Sequence, residues 1–237
     1  MKDYEADPRF DHDQLDVIRR GIEAGYDVST YARPDLDRKQ MDVVLDGLRD
    51  RVNVYFYADP KFSPAQMEQI RLGLKNDRTV LWYVDEMFSA SQMEQIRLGL
   101  EAGVTVSWYA KVELTPAQME EVRMALEAGV EDPVKLARIS YPKLAPEQMA
   151  LARWGAEHGV NMEEYISQHL TPGQAWQVHI GLRGGLDVRP YADARFDVRQ
   201  MIVIRQGLEA GLDVSRYADP SISSDEMEQA YRELRED

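Results

Sequence analysis

The chain contains no cysteine, so neither a disulfide framework nor thiolate chemistry can operate in it. Histidine is scarce, at four residues, and only His158, His169 and His179 lie near one another. A metal centre would need further donors at suitable spacing, so no metal and no cofactor is expected. No glycine-rich phosphate loop, nucleophile turn or zinc-binding spacing occurs. Carboxylates are plentiful, but acid–base catalysis needs a pocket that shifts one of them, and the sequence marks none. An enzyme is therefore not expected. Apolar runs long enough to span a membrane are absent too. The opening Met1-Lys2-Asp3-Tyr4-Glu5-Ala6-Asp7-Pro8 lacks the apolar core of a secretory signal, which makes a cytoplasmic location the expectation. Basic residues are in deficit, 28 against 42 acidic ones, for a formal net charge of −14. Such a surface disfavours nucleic acid and anionic membranes and favours basic partners.

What the chain does have is one phrase repeated nine times. Glutamine followed by an apolar residue stands at Gln14, Gln40, Gln66, Gln92, Gln118, Gln148 and Gln200, with degenerate copies at Gln174 and Glu226. The spacing is 26 residues, except for 30 between Gln118 and Gln148. A period of this size marks a solenoid, whose repeats bury their apolar faces by stacking on one another. The repeats run approximately over 4–30, 31–56, 57–82, 83–108, 109–138 (with the four-residue insertion), 139–164, 165–190, 191–216 and 217–237, one elongated array over 1–237.

Within a repeat, Ser63-Pro64-Ala65-Gln66 has the spacing of a capping box with proline at the first helical position. Thr115 and Thr171 repeat it, and Asp11, Asp37, Asp197 and Ser223 supply the cap elsewhere. The glutamine is thus a capping residue. Apolar residues at +1, +4 and +8 from it, such as Met93, Ile96 and Leu100, form one face of an amphipathic helix of about 13 residues. A small residue recurs at +7 (Gly21, Gly47, Gly73, Gly99, Ala125, Gly155, Gly181, Gly207), which suggests close approach of a neighbouring backbone. Glycine at +11, as in Gly25 and Gly103, ends the helix in the left-handed conformation.

A short second element follows. In Asp27-Val28-Ser29-Thr30-Tyr31 a capping residue precedes Val and Tyr spaced by three, which predicts a turn or two of α- or 3₁₀-helix. Thr79-Val80-Leu81-Trp82-Tyr83-Val84 reads more like a strand. The fold class is therefore an all-α tandem-repeat solenoid, with an α/β horseshoe of one strand and one helix per repeat as the alternative.

The string Gln-Met-x-x-Ile-Arg-x-Gly-Leu-Glu-Ala-Gly-x-x-Val-Ser-x-Tyr-Ala-Asp-Pro, assembled from residues 92–109 and 57–60, resembles short tandem repeats in uncharacterised proteins of gut bacteria and their phages and conjugative elements. The resemblance covers nearly the whole chain. It implies a mobile-element context and no catalytic residue.

Recurring residues are explained by packing, so departures from the pattern carry the functional information. The insertion between Gly129 and Tyr141 is expected to lengthen the second element of repeat five and to bend the path there. Position +6, nearly opposite the core face, is polar in the outer repeats but apolar in the five central ones, at Leu72, Leu98, Met124, Trp154 and Ile180. Position +2 is acidic in the first five repeats (Asp16, Asp42, Glu68, Glu94, Glu120) and then becomes Ala150, Trp176 and Ile202. Trp154, Trp176, Ile180 and Ile202 together suggest an outer apolar patch, unless the short elements demand a wider apolar arc. Phe56, Trp82 and Trp108 precede the recurring tyrosine in three consecutive repeats, where Thr30, Glu164, Pro190 and Arg216 stand elsewhere. Aromatics are favoured interface anchors. Position +5 carries Arg19, Arg71, Arg97, Arg123, Arg153 and Arg205, mostly with an acid four residues on (Glu23, Glu101, Glu127, Glu157, Glu209), and reads as a structural ion-pair ladder. Asp7, Asp59, Asp85 and Asp193, in the turn before, look like further partners for these arginines. The polar final helix, Tyr231 to Asp237, suits a terminal capping repeat.

The leading functional expectation is a non-enzymatic scaffold that binds a protein partner through these side-chain ladders. The alternative is an acidic decoy that occupies a nucleic-acid-binding surface through the carboxylate row. A homodimer joined through the outer apolar face is a third reading.

Overall fold

The computed structural model describes residues 4–159, 162 and 170–236. The chain divides into two compact units, Met1–Met119 and Glu120–Asp237, called the N-terminal and C-terminal halves below. The N-terminal half alternates α-helices with single 3₁₀ turns. These are α1 (His12–Glu23), η1 (Val28–Thr30), α2 (Arg38–Arg49), η2 (Val54–Phe56), α3 (Pro64–Lys75), η3 (Val80–Trp82), α4 (Ala90–Ala102) and η4 (Val106–Trp108), followed by the start of α5 (Pro116–Glu127). Consecutive helices α1 to α4 pack side by side. The C-terminal half holds the rest of α5, then α6 (Pro133–Ile139), α7 (Pro146–His158), α8 (Pro172–Arg183), α9 (Val198–Glu209), η5 (Val214–Arg216) and α10 (Ser224–Glu236). There each helix from α6 to α10 packs on the next.

The architecture is an all-α repeat solenoid, and no strand occurs among the described residues. The horseshoe alternative is thereby corrected. Thr79–Val84, the most strand-like stretch, is a 3₁₀ turn because its apolar period is three: Val80 and Tyr83 are buried while Leu81 and Trp82 face out. The β-branched residues there serve packing, not pairing.

The capping boxes form as the spacing predicts. In α3 the Gln66 amide donates to Ser63 Oγ at 3.3 Å, and the Ser63 amide donates to Gln66 Oε1 at 2.8 Å. Ala145, without a side-chain acceptor, keeps only the second half, from its own amide to Gln148 Oε1 at 2.9 Å. The glutamine also has a role that capping does not reveal. Its Nε2 donates to a carbonyl in the loop of the following repeat: Gln14 to Leu36 at 2.7 Å, Gln40 to Phe62 at 2.8 Å, Gln66 to Phe88 at 2.7 Å and Gln92 to Leu114 at 2.7 Å. In the C-terminal half Gln148 reaches Leu170 at 2.9 Å and Gln200 reaches Ile222 at 2.7 Å. One buried amide therefore caps its own helix with its oxygen and holds the next repeat with its nitrogen, which leaves neither end unsatisfied.

The small residue at +7 has a different neighbour from the one expected. It is the side chain of the tyrosine ten residues on, not a backbone. A Cβ built on Gly21, Gly47, Gly73, Gly99, Gly181 or Gly207 would lie 1.8–1.9 Å from the hydroxyl of Tyr31, Tyr57, Tyr83, Tyr109, Tyr191 or Tyr217. Those rings are fully buried, and Tyr31, Tyr83 and Tyr191 donate to the carbonyls of Val17, Gln69 and Gln177 at 3.2–3.3 Å. Helix and 3₁₀ turn are locked together by this pair in each such repeat.

Repeat five lacks both halves of the lock. The insertion lengthens its second element, as expected, into the seven-residue α6, whose N-cap Asp132 accepts from Val134 N at 2.8 Å. Counted back nine residues from Gln148, the tyrosine's place holds Ile139, buried, and the glycine's place holds Ala125, also buried. Tyr141 is exposed and takes no part.

The left-handed helix stop holds at Gly25, Gly103, Gly129, Gly159, Gly185 and Gly211. Repeats two and three use Arg51 (φ 61°) and Asp77 (φ 53°) in the same position, at a cost that glycine does not carry.

Candidate interaction surfaces

The 3₁₀ turns place the aromatic ladder on the surface of the N-terminal half. Each turn buries its valine and following tyrosine, so the two residues between them must point outward. Tyr55 is 79 % exposed and Leu81 74 %, beside Trp82 at 46 % and Phe56 at 37 %; Trp108 is half-buried. The equivalent places hold Ser29 and Thr30 in repeat one and Ser215 and Arg216 in repeat eight, so the fold does not require apolar residues there. Met87, in the loop after η3, is exposed as well.

The outer helix face of the C-terminal half is less uniform than the sequence suggests. Trp176 is 45 % exposed, whereas Ile180 and Ile202 are half-buried and Ala150 is buried. Trp154 is half-buried against the apolar core of this half, formed by residues such as Leu151, Val178 and Met201. One side of its ring stacks on His158 at 4.4 Å, and Trp176 meets His179 edge-on at 5.3 Å. The wider apolar arc thus accounts for Trp154, and Trp176 is the outward member of the set. His169 and Glu164 lie outside the described residues.

The carboxylate row is compensated by arginine at every position. Asp16 lies 3.3 Å from Arg20, and Asp42 pairs with Arg20 and with Arg38 at 3.7 Å. Glu68 pairs with Arg71 at 2.6 Å, Glu94 with Arg97 at 4.0 Å and Glu120 with Arg123 at 3.7 Å. These five residues do not form a bare acidic stripe.

The arginines at +5 form the ion-pair ladder. Arg97, Arg123 and Arg153 reach Glu101, Glu127 and Glu157 at 2.7–2.8 Å, and Arg205 pairs with Glu209. Arg19 instead bonds Glu5 at 2.7 Å, and Arg71 takes Asp50. Asp59, Asp85 and Asp193 form no ion pair with these arginines among the described residues, contrary to expectation, and Asp7 pairs with Arg9 at 2.7 Å. Each accepts from the backbone amide two residues on, at 2.9–3.2 Å, and so caps its own turn. Sequence reasoning also missed a bond from the arginine back to the +3 residue of the previous repeat: Arg97 Nε to Gln69 at 3.0 Å, Arg153 Nε to Glu121 at 2.8 Å and Arg205 Nε to Gln177 at 3.1 Å. Burial raises the Glu121 carboxyl above its ordinary value even with Arg153 beside it. The +3 position alternates between apolar residues such as Val17, Val43, Leu151 and Val203 and polar ones such as Gln69, Glu121 and Gln177, so no single residue type recurs there to mark the bond.

Among family models, curated proteins and solved structures, none matches the chain. No helix among the described residues is long and apolar enough to cross a membrane.

Proposed function

We propose that this chain is a non-enzymatic helical-repeat scaffold that binds a protein partner through the 3₁₀-turn face of its N-terminal half. The supporting observation is that Tyr55, Phe56, Leu81 and Trp82 stand exposed in two consecutive repeats at places where other repeats carry serine, threonine or arginine. Contiguous apolar surface that packing does not demand is characteristic of interaction sites, and aromatic anchors dominate their energetics. The resemblance of the repeats to those of phage and conjugative-element proteins would give this partner a mobile-element setting in the cytoplasm. The decoy reading keeps the net charge of −14 as support but loses the carboxylate row, because those five carboxylates each lie beside an arginine.

The test is a double substitution, L81D with W82E, compared with the unaltered chain in affinity capture and light scattering. The helical signal should persist, and a specifically captured protein should be lost. That complex should change little with ionic strength, since apolar contacts carry it. Steep weakening by salt would return the acidic decoy to consideration. A doubled mass that falls to that of one chain in the double variant would make the partner a second copy. Capture and mass both unaffected by the substitutions would refute the assignment of this face.

A further inference from the structure

The arginine ladder is interrupted at Leu45, His179 and Tyr231, and the interruption at His179 borders a cleft. In repeat seven the +5 arginine becomes His179, the +9 position carries Arg183, and the +3 residue of the preceding repeat is Leu151. Leu151 offers no acceptor, and imidazole is much shorter than the arginine side chain it replaces. The result is a cleft of about 350 Å³ lined by Met124, Arg153, Trp154, Glu157, His158, His179 and Arg183.

Two groups in this lining have no partner among the described residues. His179 is only 3 % exposed, and its Nδ1 is buried without a hydrogen bond. A buried, unsatisfied ring nitrogen is disfavoured in a folded protein. Arg183 has no carboxylate among the described residues, whereas at the same position Arg49 pairs with Asp46 at 2.8 Å and Lys75 with Asp50 at 2.8 Å, and Arg235 on the last helix meets the Tyr231 hydroxyl at 3.4 Å. Glu157 lines the cleft too, but it is held by Arg153 at 2.8 Å. His158 turns its Nδ1 to the Trp154 carbonyl at 2.9 Å. An unclaimed cation and an unclaimed nitrogen thus face a space whose other walls, Trp154 and Met124, are apolar.

We infer that this cleft binds a small carboxylic acid. Arg183 pairs with the carboxylate, His179 donates from Nδ1, and the apolar body of the ligand lies against Trp154 and Met124. The volume is in the range of small-molecule sites, which combine apolar walls with a few placed polar groups. Arginine suits a carboxylate because its planar fork can bond both oxygens. This inference is independent of the protein-binding face, which belongs to the other half of the chain.

The full chain should be titrated with benzoate, acetate and inorganic phosphate, followed by tryptophan fluorescence and the histidine ring signals in proton NMR. Benzoate should bind with a dissociation constant below about 1 mM and shift the His179 signal. Arg183→Gln should weaken it about tenfold or more. The key variant is H179R combined with R183E, which restores the Arg–Glu pair found in repeats four, five, six and eight. It should fold as well as the parent or better, and it should not bind benzoate. No saturable response to any of the three probes, or unchanged benzoate affinity in the restored variant, would overturn the site. Acetate or phosphate binding as tightly as benzoate would overturn the role given to Trp154 and Met124.

Discussion

Replacing Gly73 by alanine would set a methyl group 1.9 Å from the Tyr83 hydroxyl. A shift of a few tenths of an ångström cannot relieve so close an approach. The ring must leave its fully buried site, or α3 must part from η3. Overpacking costs about 1–3 kcal/mol, and the burial of the ring puts this case at the upper end. The better helix propensity of alanine returns about 1 kcal/mol, which leaves a net loss of about 2 kcal/mol. Tyr83→Phe alone removes the hydroxyl and its 3.3 Å bond to the Gln69 carbonyl, for a loss of about 1 kcal/mol. In the double variant the nearest atoms to the new methyl are the ring Cζ and Val80 Cγ1, each 3.2 Å away, and small adjustments absorb that. The double loss should therefore be about 1 kcal/mol or less, against a sum of about 3 kcal/mol, a coupling of about 2 kcal/mol. Urea unfolding of the four proteins, followed by far-ultraviolet circular dichroism at equal slopes, measures this. Losses that simply add would refute the lock.

Arg51→Gly and Asp77→Gly should each stabilise the N-terminal half by about 0.5–1 kcal/mol, because both residues hold a left-handed backbone that glycine adopts without strain; a lower urea midpoint would contradict this. Tyr217 has a buried hydroxyl with no partner, whereas Tyr31 bonds Val17 O at 3.2 Å. Tyr217→Phe should accordingly be neutral or stabilising while Tyr31→Phe costs about 1 kcal/mol, and equal losses would count against the difference in bonding. Burial moves Tyr31 and Tyr217 from an ordinary value near 10 up to about 12, and raises Tyr57, Tyr83 and Tyr191 as well. The folded chain then holds more protons than the unfolded chain above pH 10, so stability is intact below about pH 10 and is lost as pH rises towards 12. Tyrosinate absorbance from these rings should rise together with loss of helical signal, and ionisation near pH 10 with helices intact would refute it.

Much of the fold was legible because each repeat states its own rules. The cap at Ser63, the core face at Met93 and Ile96 and the stop at Gly103 are local features, and local features survive translation from sequence to structure. The horseshoe alternative arose from Val80-Leu81-Trp82, where β-branched and aromatic composition outweighed a period of three that was already present. Gly73 was read as a close approach, but its neighbour could not be named, since a hydroxyl arriving from ten residues away leaves no spacing signal of its own. Trp154 was assigned outward from helical phase alone. Its partial burial follows from packing against the apolar core of the C-terminal half, a contact between helices that a single-helix projection does not contain. His179 reads in the sequence as one of three neighbouring histidines that make no metal centre, yet its departure from the arginine column is the available signal, together with Arg183 and Leu151.

Because hydroxyl and glycine are ten residues apart in all six lock pairs among the described residues, a codon gained or lost between them would pull the ring off its seat. Length drift in that stretch is therefore forbidden to genes that keep the pair. Repeat five, with Ala125 and Ile139 in the two places, is where the chain could grow by four residues, and any relative with a lengthened repeat should show the same two replacements beside its insertion.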